Sequence, residues 1–437
     1  MVFLKSSSKI LFIFVIFHLC SLSLLSNDFE KQYDYDKDTF IFKKVEQELE
    51  EIDPIESAKK LAEEIKMKND RLNLNPIIFI PGLGGSKIET KLDNFNTKHW
   101  FCEKNKDWFR VWLTVELYAP EVVEKSYNQK GVSVRPISGI EGVVNLDPTL
   151  FFISEVAYFS RMSKVLEDLG YQEDKNLFAL PYDWRLAPNN LTDYFELLKY
   201  TVEYSYSINN GMRVNLMTHS MGCTIATYFL ANQTQEWKDK YISTFIPLSP
   251  PMGGVFKGIN SLVEGENFGI PIIIGSEIKD LEVSLPSIYY FLPHSPFWTQ
   301  PVVKTASKDY YPTFDDYNVL FNDLGLPQYS HQLLQLTWKD SLVFNPPGVP
   351  TYLQIGSGIK TPIYFQFETD LNGKHEIIYG NGDGTCNHDV MIIPCTEWAQ
   401  GQTQPVQCYI WNGAGHQDTI SKDEIIEQIL QIISNAN

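Results

Sequence analysis

Short apolar runs that end in turn-forming residues recur along the chain and predict its central elements. They lie at residues 77–80, 214–217, 245–248, 351–355 and 409–411. Unbroken apolar runs of this length are typical of strands that are covered on both faces, as in parallel sheets. The pattern therefore predicts an α/β fold with a mostly parallel central sheet between helices.

Helical patterns accompany these strands. Residues 223–230 have helical composition directly after one strand, and the last helix is predicted to begin at a capping box formed by Ser421 and Glu424. The apolar face of this last helix consists of Ile425, Ile426, Ile429, Leu430 and Ile433. Residues 252–347 are aromatic, rich in proline and irregular, and they lie between two predicted strands. We expect them to form an inserted cap over the sheet.

The N-terminus has the pattern of a secretory signal peptide. Two lysines precede an almost unbroken apolar or small run at residues 10–25, and serines near its end suit cleavage. The run is shorter than the about 20 apolar residues that a spanning helix needs, and it contains His18. An uncleaved anchor is therefore the less favoured alternative to a signal peptide at residues 1–26.

The remaining boundaries follow from composition. Residues 27–75 form an acidic, polar leader, in which residues 55–68 have helical spacing and mixed charge. This segment is interpreted as a solvated helix or a propeptide. We expect the α/β domain at residues 76–251 and 348–437, with the cap at 252–347 between its two parts.

Composition and charge narrow the class of protein. The chain has 437 residues, of which 43% are hydrophobic and 21% charged. These values are ordinary for a globular protein and exclude a wholly disordered chain, a collagen and a coiled-coil rod. The net charge of −18 disfavours nucleic-acid binding, because an acidic protein repels phosphate.

Ser220 is the strongest candidate for a catalytic nucleophile. It follows an apolar strand, precedes a helix and has Gly222 two residues later. This strand–turn–helix context is the one that a nucleophile elbow requires. Thr218 departs from the usual glycine two residues before the serine, and its branched side chain is expected to crowd the turn.

A serine nucleophile needs a base, and the base needs an orienting acid. In the elbow-bearing fold the chain order is Ser, Asp or Glu, and then His. Asp383 lies in a glycine-rich loop and His416 in a loop of small residues, both after predicted strands. We assign His416 as the base and Asp383 as its partner. His388 is a rival base, and Asp389 and Asp418 are interpreted as surface groups.

Two backbone N–H groups are candidates for the oxyanion hole. One belongs to Met221, directly after the nucleophile, and the other to Leu83 in the turn after the first strand. A phosphate loop is the alternative interpretation of residues 81–85, but the Lys-Ser/Thr ending of such loops is missing. His219 is interpreted as a packing residue or as part of the pocket lining.

Ten short segments in a fixed order resemble the lecithin:cholesterol acyltransferase family, which includes lysosomal phospholipase A2 and the phospholipid:diacylglycerol acyltransferases. The segments are residues 76–85, 92–93, 99–102, 111–113, 180–185 (LPYDWR), 218–223, 250–254, 265–271, 382–385 and 415–416. The resemblance runs from about residue 75 to about residue 433. Among the segments, PYDWR and the complete order are specific together.

The resemblance implies an α/β-hydrolase fold with a lid, at about residues 99–127, and a cap. By position, Ser220, Asp383 and His416 would form the triad, and Leu83 and Met221 would donate to the oxyanion. Trp112 would fall in the lid and contact lipid. Asp183 and Arg185 would form a structural ion pair.

The cysteines depart from the family pattern. Family lids close a disulfide, and Cys102 matches its first half, but residues 122–127 contain no second cysteine. Cys395 matches one half of another disulfide whose usual partner is missing near Tyr352. A Cys395–Cys408 bond is therefore a hypothesis, and Cys223 is expected to be a free, buried thiol.

The function that the resemblance implies is the transfer of a fatty acyl chain from a phospholipid to a sterol, another lipid alcohol or water. No metal and no other cofactor is implied, and the enzyme would bind peripherally to a membrane or lipoprotein-like surface. We expect a secreted or lysosomal glycoprotein, since Asn190 and Asn232 begin sequons. The alternatives are a carboxylester or triacylglycerol lipase and a catalytically inactive lipid-binding protein.

Overall fold

A computed structural model of the protein describes residues 54–68, 74–95, 104–112, 131–147, 154–268 and 275–435. In these residues the strands, in chain order, are β1 (Ile77–Ile80), β2 (Ile88–Leu92), β3 (Lys106–Trp112), β4 (Val132–Pro136), β5 (Leu177–Ala179), β6 (Val214–His219), β7 (Ile242–Leu248), β8 (Val303–Lys304), β9 (Asp309–Tyr310), β10 (Thr351–Ser357), β11 (Ile359–Phe367), β12 (His375–Gly382) and β13 (Val406–Asn412).

Helices surround these strands. In chain order they are α1 (Pro54–Lys68), α2 (Ser154–Ala157), α3 (Ser160–Leu169), α4 (Thr192–Ile208), α5 (Met221–Ala231), α6 (Gln235–Tyr241), α7 (Phe256–Val263), α8 (Gly275–Val283), α9 (Pro286–Tyr290), α10 (Phe314–Asp323), α11 (Gln328–Ser341), α12 (His388–Met391), α13 (Ile393–Gly401), α14 (Asp418–Ser421) and α15 (Asp423–Asn435).

The central sheet has six strands in the order β13-β10-β7-β6-β1-β5, and all neighbours are parallel. Every residue of β1, β6 and β7 is buried, which explains why these segments are continuous apolar runs. The predicted mostly parallel sheet is thus confirmed. Each of the five predicted strands is present, and the last four are longer than predicted by two to four residues.

Sequence patterns did not identify the two smaller sheets. One has the order β3-β2-β4, and the other has the order β12-β11-β8-β9. In the second, β11 and β12 form an antiparallel hairpin whose register pairs Ile359 with Gly382. The hairpin leaves the carboxyl end of β10 and returns to it, so the residue after β12 arrives beside the central sheet.

Helix α1 has a buried face, although its sequence predicts a solvated helix or a propeptide. Ala58, Leu61, Ala62 and Ile65 are buried within the main hydrophobic core, and α1 packs against α3. Apolar residues at spacings of three and four make this stripe, and the intervening charges obscure it. The helix therefore belongs to the packed unit that begins at Pro54, whereas residues 1–53 lie outside the described residues.

The capping box predicted for the last helix is wrong. Ser421 ends the short helix α14 and donates its hydroxyl to the carbonyl of Gln417 at 3.0 Å. The last helix, α15, begins at Asp423 instead. Its predicted apolar face is confirmed, because Ile425, Ile426, Ile429, Leu430 and Ile433 are all buried.

The segment predicted to be an irregular cap contains regular helices. Residues 252–347 contain α7 to α11, together with the short strands β8 and β9. Its buried aromatic side chains include Tyr289, Tyr290, Phe291 and Trp298. The domain boundaries predicted around this segment stay predictions.

The hypothesised disulfide between Cys395 and Cys408 is confirmed, with Cα atoms 5.9 Å apart. It joins α13 to β13. Cys223 and Cys386 are free and buried, and Cys102 lies outside the described residues. No helix in the described part of the chain is long and apolar enough to cross a membrane.

Glu282, in α8, is a completely buried carboxyl group. It accepts hydrogen bonds from the Ser261 hydroxyl at 2.9 Å and from the N–H of Glu266 at 2.8 Å. Burial raises its pKa from 4.5 to about 8, because the interior disfavours the charged form. The folded protein therefore holds a proton on Glu282 at pH values where the unfolded chain has lost it.

This proton makes the stability of the protein depend on pH. Between about pH 4.5 and 8 the folded state binds more protons than the unfolded state, so stability falls as pH rises. The free energy of unfolding should drop by roughly 3 kcal/mol from pH 5 to pH 8. Glu282→Gln should remove this slope, as measured by urea unfolding at both pH values. The exposed Glu236→Gln serves as control, and an unchanged slope in Glu282→Gln would contradict the assignment.

Candidate active site

Ser220 lies at the junction of β6 and α5 in a strained backbone conformation. Its φ of 51° and ψ of −124° place a non-glycine residue in a region that L-residues rarely adopt. The backbone N–H donates to the carbonyl of Leu248 at 3.0 Å. The half-buried side chain is thereby presented at the carboxyl edge of the sheet, as an elbow requires.

Two glycines make this sharp turn possible. A Cβ atom on Gly222 would lie 2.3 Å from the carbonyl oxygen of Ile80, and one on Gly82 would lie 2.7 Å from the Cβ of Ser220. Both distances are shorter than real side-chain contacts, so the elbow and the turn after β1 can approach each other only without these side chains.

Thr218 fits the elbow because a small partner faces it. Its hydroxyl lies 3.2 Å from the Cys223 sulfur, and this thiol also reaches the carbonyl of Leu248 at 3.5 Å. Burial raises the pKa of Cys223 to about 12, which makes the thiol inert. The expected role of Cys223 as a free, buried thiol is confirmed.

Buried Asp383 and half-buried His416 form a hydrogen-bonded pair. The Nδ1 atom of His416 lies 2.8 Å from Oδ2 of Asp383, and the backbone N–H of His416 donates to the carbonyl of Asp383 at 2.8 Å. Because a carboxylate only accepts, Nδ1 carries the proton, and Nε2 is the nitrogen that can accept one. This is the tautomer that a general base needs.

The carboxylate of Asp383 remains charged although it is buried. Burial alone would raise its pKa, but the charge and hydrogen bond of His416 and the N–H groups of Cys386 and Thr385 together lower the pKa below 3.8. These two N–H groups donate to Oδ1 at 2.6 and 2.9 Å. The negative charge is therefore available to stabilise a protonated His416.

His219, the residue before Ser220, contacts His416 and so links the nucleophile to the predicted base. The Nε2 atom of His219 lies 3.1 Å from the carbonyl oxygen of His416, and the two rings are 4.8 Å apart between centroids. Among the described residues, no hydrogen bond joins the Ser220 hydroxyl to the imidazole of His416. Such bonds are often longer before substrate binds, so the three residues keep their predicted roles as predictions.

The predicted oxyanion donors belong to the two segments that meet at Ser220. Met221 is the first residue of α5, where N–H groups have no acceptor within the helix. Leu83 lies in the turn after β1, next to Gly82, which contacts Ser220. In the described part of the chain neither N–H donates to a protein acceptor. Both donors are thus available to a developing negative charge.

Trp112 ends β3 with only 4% of its surface exposed. Its indole N–H donates to the carbonyl of Gly84 at 2.7 Å, and its ring packs on Trp184 and Phe268. Trp184, from the PYDWR segment, donates in turn to the carbonyl of Ser86 at 3.2 Å. The two indoles hold the turn that carries Leu83.

The lipid contact predicted for Trp112 stays a prediction, and most of the predicted lid lies outside the described residues.

Two side chains beside the site, Tyr158 and Asp418, make contacts that the sequence did not indicate. The Tyr158 hydroxyl lies 2.9 Å from Nδ1 of His219 and accepts from the N–H of Gly82 at 2.8 Å. Asp418 accepts from the N–H of Gly415 at 2.6 Å and so fixes the loop before His416. This bond runs back to a loop N–H three residues before α14, so helix-capping signals in the sequence do not indicate it.

None of the other side chains weighed in the sequence (Asp183, Arg185, His388 and Asp389) is hydrogen-bonded to Asp383 or His416 among the described residues. Asp183 and Arg185 form the expected ion pair at 2.7 Å. Asp389 is exposed. The rival base His388 makes no hydrogen bond through its buried Nδ1 within the described residues.

Asp383, Cys386 and His416 could together offer three donor atoms to a metal ion, all within 4.8 Å of one another. Burial holds the pKa of the Cys386 thiol well above its ordinary value, and metals bind the thiolate. The His416 Nδ1 and both oxygens of Asp383 already have partners. This donor set fits an acid–base pair better than a metal site.

Asp383→Asn tests the assigned pair. The amide keeps the shape of the side chain but removes the charge and allows the wrong imidazole tautomer, so kcat on a soluble ester such as 4-nitrophenyl butyrate should fall by about 10⁴. The exposed Asp389→Asn should leave kcat unchanged. An equal loss in both variants, or none in Asp383→Asn, would contradict the assignment.

Comparison with known proteins identifies the family of this chain. A family model described as "Lecithin:cholesterol acyltransferase" matches residues 100–324. The "Lysosomal phospholipase A and acyltransferase" of Bos taurus is 34% identical over 368 residues, which cover 78% of this chain and 87% of that protein. The "Phosphatidylcholine-sterol acyltransferase" of Mus musculus is 30% identical over 383 residues, which cover 83% and 85%.

The fold also has a counterpart among solved structures. The crystal structure of a Tle4–Tli4 complex aligns with a TM-score of 0.51 at 12% identity, covering 83% of this chain and 99% of that one. This likeness concerns the fold alone, and together with the parallel sheet it confirms the α/β-hydrolase fold. The sequence matches go further, and the chain belongs to the lecithin:cholesterol acyltransferase family.

Proposed function

We propose that the protein takes a fatty acyl chain from a phospholipid through an acyl-enzyme on Ser220 and passes it to a lipid alcohol or to water. The observation that carries this proposal is the hydrogen-bonded Asp383–His416 pair at the edge of the sheet where Ser220 is presented. Both relatives described above are named as acyltransferases, and the bovine protein is also named as a phospholipase A.

The first half-reaction forms the acyl-enzyme. His416 accepts the hydroxyl proton on Nε2 as the Ser220 oxygen attacks the ester carbonyl carbon. The carbonyl oxygen becomes an oxyanion, which accepts the N–H groups of Leu83 and Met221. When the tetrahedral intermediate collapses, the ester C–O bond breaks and His416 gives its proton to the lysophospholipid oxygen that leaves.

The second half-reaction releases the acyl chain. His416 deprotonates an acceptor hydroxyl, whose oxygen attacks the acyl carbonyl and displaces Ser220, which regains the proton. The acceptor is a sterol, another lipid alcohol or water. Asp383 holds Nδ1 and stabilises the positive charge on the imidazole in both halves. The same groups therefore serve a transferase and a phospholipase.

Exclusion of water favours the transferase outcome. The aromatic side chains of the cap that are named above are buried in the hydrophobic core, so they are not open to an acyl chain. Phe297 is half-buried and packs on Phe344, with ring centroids 4.6 Å apart. The acyl chain is proposed to bind beside Ser220 rather than among the buried aromatics.

We extend the proposal to location and surface binding. The enzyme would travel through the secretory pathway, be secreted or lysosomal, and bind peripherally to a phospholipid surface. Asn190 and Asn232 are exposed, as glycosylation requires. The Cys395–Cys408 disulfide suits an oxidising compartment, and the bovine relative is named as lysosomal.

The proposal is tested with phosphatidylcholine vesicles, with and without a sterol or a long-chain alcohol. The protein should release lysophospholipid together with free fatty acid, acyl ester or both, resolved by chromatography. Ser220→Ala should abolish every product because the acyl-enzyme cannot form. Ser207→Ala, at an exposed serine in α4, should retain full activity.

The product pattern separates the outcomes. Acyl ester in excess of free acid would establish a transferase, and free acid alone would establish a phospholipase. Turnover of triacylglycerol without turnover of phospholipid would support the lipase alternative instead. If no lipid ester gave a product that depends on Ser220, the catalytic proposal would be abandoned for a lipid-binding protein.

A further inference from the structure

Tyr158 and His219 form a buried chain of hydrogen bonds between the two halves of the site. The chain starts at the N–H of Gly82, which donates to the Tyr158 hydroxyl at 2.8 Å. This hydroxyl lies 2.9 Å from Nδ1 of His219, whose Nε2 lies 3.1 Å from the carbonyl oxygen of His416. One end is therefore the neighbour of Leu83, and the other is the predicted base.

The chemistry of the two ends fixes the direction of every bond. The carbonyl of His416 can only accept, so Nε2 of His219 carries a proton and donates. In a neutral imidazole the other nitrogen accepts, so the Tyr158 hydroxyl donates its hydrogen bond to Nδ1. The phenol oxygen is left to accept the N–H of Gly82. All three hydrogen bonds therefore run in one consistent direction, from His219 to His416, from Tyr158 to His219 and from Gly82 to Tyr158.

The surroundings keep His219 in this neutral form. Its ring is 1% exposed, and burial, together with the charge of His416, lowers its pKa to about 3. Tyr158 is also buried, and burial raises the pKa of its phenol well above 10. Neither group is placed to exchange protons with substrate at ordinary pH.

This chain of hydrogen bonds connects the oxyanion turn to the His416 loop, two segments that are far apart in sequence. A Cβ atom on Gly85 would lie 2.7 Å from the Tyr158 ring, so the tyrosine ring packs tightly against the oxyanion turn. At the other end, the carbonyl of His416 also accepts from Ser249 and Thr419 at 3.3 and 3.1 Å. His219 adds the bond that ties this carbonyl to the strand bearing the nucleophile.

We propose that Tyr158 and His219 are positioning residues that hold the oxyanion turn and the His416 loop in one fixed arrangement around Ser220. The proposal rests on the acyl-transfer chemistry proposed above, because it assigns Leu83 and His416 their roles. Neither side chain contacts the reacting atoms. Their effect is to keep an N–H and an imidazole correctly placed when the tetrahedral intermediate forms.

Three variants test the chain one link at a time. Tyr158→Phe keeps the ring and removes the hydroxyl. His219→Gln can place an amide nitrogen near the former Nε2 and so keep the donor to His416, while it loses the acceptor for Tyr158. The double variant shows whether both changes break the same link. Tyr171→Phe is the matched control, because this buried phenol donates to the carbonyl of Asn75 at 3.2 Å.

We expect Tyr158→Phe to lower kcat on 4-nitrophenyl butyrate by roughly 10- to 100-fold, somewhat less than the loss of an oxyanion donor itself. KM should change less than about twofold, since ground-state binding is not involved. Tyr171→Phe should keep the kcat of the wild type. The double variant should lose no more than the worse single variant, because residues in one network are not additive.

Labelling with a fluorophosphonate, run to completion, counts the folded sites in each variant, so that a folding defect is separated from slow chemistry. Multiplied losses in the double variant would overturn the proposal, as would equal losses in Tyr158→Phe and Tyr171→Phe. If His219→Gln does not fold, the comparison of the two phenylalanine variants still decides. The soluble ester keeps this test independent of phospholipid. A wild type that cleaves the ester but no phospholipid would refute the proposed function, while the role of the hydrogen-bond chain could still be measured.

Discussion

The buried carboxylate of Asp383 is the group on which the rest of the site depends. A charge in the interior is tolerated only when hydrogen bonds and an opposite charge replace water. Here Cys386 and Thr385 turn their N–H groups toward one oxygen, and His416 binds the other. The loop around residue 383 has to fold in this way to satisfy the charge, and the imidazole is oriented as a result. The central sheet makes room for Asp383 at Gly356 of β10. A Cβ atom on this glycine would lie only 2.8 Å from the Cβ of Asp383.

The turn at Ser220 could be predicted from local sequence because residues adjacent in the chain determine its geometry. A buried strand, a serine and a small residue two positions later are enough to indicate the turn, and Gly222 has no room for a Cβ atom. Asp383 and His416 needed the chain order as well. The hairpin of β11 and β12 could not be foreseen, because its half-buried residues give no clear alternation, yet it is what carries Asp383 back to the sheet.

The remaining differences come from tertiary contacts that a single sequence does not encode locally. The role of Trp112 depends on a carbonyl of Gly84 that is 28 residues away, and that of Tyr158 on His219, 61 residues away. Ser421 and Glu424 have the spacing of a capping box, but the competing helix α14 takes Ser421 as its last residue. In the same way, α1 reads as a charged helix until α3 covers its apolar stripe.

The position of β13 has a consequence for how the protein loses activity. Within the residues that the structure describes, this strand is the outermost of the central sheet and pairs with β10 alone, and it leads directly into the loop that bears His416. Edge strands open more easily than interior ones, because half of their backbone ladder is missing. The Cys395–Cys408 bond closes a short loop across this edge and limits the freedom of the opened strand. Reduction of this disulfide would therefore free β13 and the loop bearing His416 before the interior strands separate. Loss of activity would then precede global unfolding.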